Sequence, residues 1–151
     1  MNNHTEYLIN SSISFTAIFG DEGKEIKLRS YLLSLEKILA DKMPAAKYSK
    51  HLDFILIDLR VDGFLKWFTI PDKPKLMNYS SKNRDISYQV SIKKDFWLLS
   101  SKNKQEYLLN IAKDAINATC ARLKKKKFDV DLVGMMNDFD EVAREYRSIT
   151  S

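Results

Sequence analysis

Residues 85–92 read D-I-S-Y-Q-V-S-I, with Ile86, Tyr88, Val90 and Ile92 alternating with Asp85, Ser87, Gln89 and Ser91. A strand has a side-chain period of two, so this segment carries one apolar and one polar face. It is the predicted spine of a sheet and leaves open a continuation to Phe96 or Leu98. Residues 12–19 show the same alternation: Ile13, Phe15, Ala17 and Phe19 share one face and Ser12, Ser14 and Thr16 the other. The turn residues Gly20, Asp21 and Gly23 then interrupt the pattern.

Over residues 24–42 the period becomes helical. Leu28, Tyr31, Leu32, Leu35, Ile38 and Leu39 form one stripe, and Pro44 marks its end. Residues 54–70 read as a hairpin about Asp62-Gly63, a two-residue turn signal. That turn would pair Ile55 with Ile70, Ile57 with Phe68, Leu59 with Lys66 and Val61 with Phe64. The other face would carry Leu56, Asp58, Arg60, Leu65, Trp67 and Thr69. Residues 71–84, with Pro71, Pro74, Asn78 and two adjacent serines, read as a loop.

A helix follows, capped by Ser101 or by Asn103 with Glu106 three positions on. Its apolar stripe is Leu108, Ile111, Ala112, Ala115, Ile116, Thr119 and Leu123, and the lysines at 124–127 suit its C-terminal dipole. A last helical region over residues 130–147 places Leu132, Met136, Phe139, Ala143 and Tyr146 on one side. Gly134 and the Asp138-x-x-Glu141 spacing leave open a break into two shorter helices. The expectation is a single α+β domain over residues 1–151: a mainly antiparallel sheet in the order β-α-β-β-β-α-α, with helices packed on one face.

Composition narrows the class. An apolar fraction of 44% and a charged fraction of 30% suit a globular domain and argue against disorder. No apolar run approaches the roughly 20 residues of a membrane span, and the first residues lack the pattern of a secretory signal. With Cys120 as the sole cysteine, no intramolecular disulfide forms, and a reducing cytoplasm is the expected compartment. The net charge of +5 is dispersed and does not identify nucleic acid as a partner.

Candidate chemistry is sparse. His4 and His51 have no partners at metal-ligand spacing, and Cys120 reads as a small buried packing residue. The 20–23 turn lacks the lysine and spacing of a phosphate loop. Asp58 and Asp62, and Asp129 and Asp131, are carboxylate pairs suited to acid–base or magnesium chemistry, but turn and helix-cap roles explain them more simply. No catalytic residue, metal or cofactor is therefore expected. Lys93, Lys94, Lys102, Lys104 and the 124–127 run are the basic candidates, and four consecutive lysines point around a helix rather than into a groove.

The outer hairpin face offers the clearest binding candidates: Asp58 opposite Trp67 and Arg60 opposite Leu65, an aromatic anchor among opposite charges. Burial of Trp67 beneath other segments is the competing expectation. Y-Q-V-S-I-K-K-D-F at 88–96, Y-L-L-N-I-A-K-D-A-I at 107–116 and L-K-K-K-K-F-D-V-D at 123–131 follow in order. Over residues 85–140 this resembles small α+β immunity proteins of bacterial polymorphic-toxin and contact-dependent growth inhibition systems. The resemblance is one of style, without an invariant motif. It implies a non-enzymatic cytoplasmic inhibitor that binds the toxin domain encoded beside it, often a nuclease. The net basic charge departs from the acidic surfaces by which nuclease inhibitors often meet basic clefts. A small nucleic-acid-associated regulator is the alternative expectation.

Overall fold

The computed structural model describes residues 13–18, 22–61 and 73–149. Its elements are β1 (Ile13–Ile18), α1 (Glu22–Lys42), β2 (Phe54–Val61), β3 (Lys75–Leu76), β4 (Asp85–Ile92), α2 (Ser101–Lys125) and α3 (Leu132–Ser148). Short 3-10 turns at Ala45–Lys47 and Lys94–Leu98 precede β2 and α2. The domain is α+β with a four-stranded mixed sheet in the order β1-β2-β4-β3.

The expected antiparallel sheet is corrected here. β1 and β4 both run parallel to β2, and among the described strands only the two-residue β3 is antiparallel, to β4. Parallel neighbours need a long crossover. The helix α1 supplies one between β1 and β2, and residues 62–84 link β2 to β4. β2 has β1 along one edge and β4 along the other, so the hairpin partner expected for Ile55, Ile57 and Leu59 has no edge left to pair with. The turn Asp62-Gly63 and residues 64–70 lie outside the described residues. The segment expected as a plain loop contributes β3, joined to β4 through a turn closed by the Ser80–Asp85 bridge.

The alternation itself holds. Ile13, Ile55 and Ile86 line up across three strands, as do Phe15, Ile57 and Tyr88, and all are buried. Leu59, Val90 and Ile92 extend this face. It shares one core with Leu28, Leu32, Leu35, Ile38 and Leu39 of α1 and the expected stripe of α2. Fully burying such a side chain contributes about 1.5–3 kcal/mol. The polar face is less open than alternation alone suggests, because Ser14 and Ser91 are also buried.

Four local readings change. β4 ends at Ile92, and after Lys93 the five residues Lys94–Leu98 coil into the 3-10 turn instead of continuing as strand. Ser100, one position before the expected cap, accepts the Asn103 backbone N–H at the start of α2. α3 is continuous through Gly134, with Asp131 as its cap. Its buried residues are Met135, Phe139, Val142, Ala143 and Tyr146, so the seam is rotated and Leu132 and Met136 are only partly buried.

Hydroxyl bonds tie the three helices together. Tyr146 on α3 donates to the Tyr31 carbonyl of α1 at 3.1 Å, and the Tyr31 hydroxyl donates to Ser101 Oγ of α2 at 3.0 Å. Gln105 Nε2, buried on α2, donates to the carbonyls of Tyr146 and Ile149 at 3.0 and 3.2 Å. Each bond satisfies a polar group that would otherwise be costly to bury.

Candidate docking cleft

Of the sequence-predicted binding residues, Asp58 and Arg60 are brought together, while Leu65 and Trp67 lie outside the described residues. Two positions apart on β2, Asp58 and Arg60 share the polar sheet face. Arg60 donates through Nε and Nη2 to Asp58 Oδ2 at 3.0 and 2.7 Å, and Thr16 Oγ1 on β1 donates to Asp58 Oδ1 at 3.1 Å. With side chains only 14% and 15% exposed, the two residues neutralise one another and stitch β1 to β2.

The basic candidates do not converge either. Lys104 and Lys124 are separated by 20 positions of α2 and so by about 30 Å. At the far end Lys126 lies over the Tyr79 ring, which meets Phe128 edge-on, and Phe128 stacks on His51 at 4.1 Å. Those rings pack on one another and form no row of open platforms for bases. Cys120 is buried against Met135, and burial pushes its thiol up to about 11. The thiolate that would act as nucleophile is therefore disfavoured. Among the described residues there is no group of three or more His, Cys, Asp or Glu placed to hold a metal, and no helix long and apolar enough to cross a membrane.

A different surface stands out. Where α1, the Lys94–Leu98 turn, the start of α2 and the end of α3 meet, a half-enclosed cleft of about 510 Å³ opens. Tyr31 and Trp97, half-buried, give it aromatic surface over the buried Phe96 and Tyr146, and Lys27 and Lys104 are among its lining residues. Phe96 is anchored in the core and meets Trp97 and Tyr107 edge-on at 5.2 and 5.0 Å, which sets the Trp97 ring beside the opening. Lys104 Nζ donates to the carbonyls of Leu99 and Trp97 at 2.7 and 3.5 Å, clamping the turn to α2. Its ammonium also lies 5.9 Å from the Phe96 ring centre, a cation–π arrangement.

One exposed apolar group lines the same opening and a second adjoins a lining residue in the chain. Among the described residues the exposed large hydrophobics are Leu98 at 87%, Val133 at 72%, Leu33 at 45% and Ile149 at 38%. Ile149 lines the cleft and Leu98 follows Trp97 directly. Leu33 lies on the side of α1 turned away from the buried stripe and does not line the cleft. Val133 lies in the first turn of α3. The signal in the sequence was F-W-L-L at 96–99, an apolar run too dense for a half-exposed strand and followed by serines that cap a helix.

No family model matches the chain, and no match was found among curated proteins or solved structures.

Proposed function

We propose that the chain is a non-enzymatic binding protein that neutralises a toxin domain by docking against the cleft at Trp97. The observation that carries the docking face is the half-buried Trp97 lining the cleft, with exposed Ile149 in the same lining and exposed Leu98 next to Trp97 in the chain. Exposed apolar groups placed together mark association surfaces, and tryptophan beside a pocket is a favoured hot-spot residue. The toxin-neutralising reading rests on the resemblance of residues 85–140 to immunity proteins. The partner surface that fits carries apolar anchors with acidic groups at its edge, opposite Lys27 and Lys104.

The test is co-expression with the toxic domain of the neighbouring gene product. Leu98→Glu and Trp97→Ala should lose protection and complex formation while the melting temperature of Leu98→Glu stays unchanged. Full protection by both variants would remove the docking face. Absence of any complex with the unmodified chain would remove the toxin-neutralising reading.

A further inference from the structure

We propose that the cleft at Trp97 is also a ligand site for a small apolar carboxylic acid, independent of any protein partner. Its volume, about 510 Å³, lies within the range of pockets that enclose small organic ligands. The walls are apolar and aromatic, whereas the charged groups lining it are of one sign. Lys27 and Lys104 are present, and no carboxylate lines the cleft among the described residues.

The polar groups of the cleft are spent in a way that favours an anion. Ser30 and Ser34 donate to carbonyls within α1, Tyr31 donates to Ser101, and Tyr146 donates to the Tyr31 carbonyl. Gln105 Nε2 is taken up by the Tyr146 and Ile149 carbonyls. Lys104 gives two N–H groups to the Trp97 and Leu99 carbonyls, which fixes its ammonium at the cleft and leaves one N–H of three. Lys27 is exposed, and the ion pairs among the described residues do not include it. Two positive groups without carboxylate partners among the described residues, beside half-buried Tyr31 and Trp97, match a ligand with a negative head and an apolar body. A neutral hydrocarbon would use the walls alone, and a cation would be repelled.

The experiment titrates the ¹⁵N-labelled chain with octanoate, with octan-1-ol and octylammonium as controls, following the amides of Tyr31, Gln105 and Ile149 and the Trp97 indole N–H. Saturable shifts confined to these residues are expected for octanoate, with about tenfold weaker binding of the alcohol, the size of one charge-assisted hydrogen bond. Lys27→Met, at an exposed position, should weaken octanoate several-fold and leave the alcohol unchanged. Lys104→Met should weaken it further, provided its melting temperature shows that the clamped turn survives. Lys27→Met carries the test alone where it does not. Equal binding of acid and alcohol, shifts centred elsewhere, or none at millimolar octanoate would overturn the site. Because no partner protein is present, failure here leaves the docking proposal standing, and failure of docking leaves this one.

Discussion

Asp131 Oδ1 accepts the Gly134 backbone N–H at 3.0 Å, and the same carboxylate fills the space that a side chain at residue 134 would need. A Cβ added there would collide with Asp131 Oδ2 and stand 2.8 Å from its Cγ. The glycine is the condition for the cap, which explains why a residue expected to break α3 instead sits in its first turn.

The two positions are thus coupled. Asp131→Ala should cost about 1 kcal/mol, the value of an N-cap. Gly134→Ala in the unmodified chain should be near neutral, since a helix-propensity gain of about 0.8–1 kcal/mol is offset by displacement of the cap. In the Asp131→Ala background the same change should stabilise by that full gain. Urea unfolding of the four proteins should give a coupling of about 1 kcal/mol, and additive effects would contradict the geometry.

Tyr48 donates a 2.6 Å hydrogen bond to Asp138 Oδ2, which Lys47 Nζ also reaches at 2.9 Å. The Tyr48 hydroxyl, followed by Lys47, holds the Asp138 carboxyl below the ordinary carboxylate range. A carboxylate depressed in the folded state stabilises above its unfolded pKa of about 4 and loses that contribution as pH falls through its folded value. Tyr48→Phe should therefore destabilise by about 1 kcal/mol at neutral pH. The gap from the unmodified chain should narrow as the pH falls through the Asp138 titration, measured as urea midpoints along a pH series.

Lys127 has φ of 66°, the left-handed region that favours glycine. Its N–H donates to the Lys124 carbonyl at 2.9 Å and that of Phe128 to the Leu123 carbonyl at 2.9 Å, the paired bonds of a Schellman ending. Lys127→Gly should stabilise by about 0.5–1 kcal/mol in thermal unfolding. Lys125→Gly, still within α2, should cost about 1 kcal/mol.

Thr119 is fully buried on α2, and its hydroxyl has no hydrogen-bond partner among the described residues. Valine has nearly the same shape without the polar atom. Thr119→Val should stabilise by about 1 kcal/mol by removing an unpaired buried hydroxyl. A loss in urea unfolding would show that the hydroxyl is satisfied.

Much of the local structure is legible in the sequence because burial periodicity is a local property. Ile86, Tyr88, Val90 and Ile92 are buried as their spacing demands, and the stripe from Leu108 to Leu123 packs as expected. The capping serine and the rotated seam of α3 differ by one position, the scale on which side-chain geometry selects among adjacent candidates. The cleft was less legible: Tyr31, Trp97 and Gln105 come from three elements and Ile149 follows α3, and nothing in their spacing announces that they meet. Asp58 and Arg60 could be placed on one face, but their burial and their pairing through a single carboxylate oxygen are tertiary facts.

By itself the sequence determined the inward-facing apolar residues of β4 and the buried stripe of α2, since alternation and the 3.6-residue period are carried by consecutive positions. Only the tertiary structure decided which strands are neighbours and in which direction they run. Parallel and antiparallel ladders share the same side-chain period, so apolar alternation cannot distinguish them. The choice came from β1 and β4 occupying both edges of β2, a competition between segments far apart in the chain.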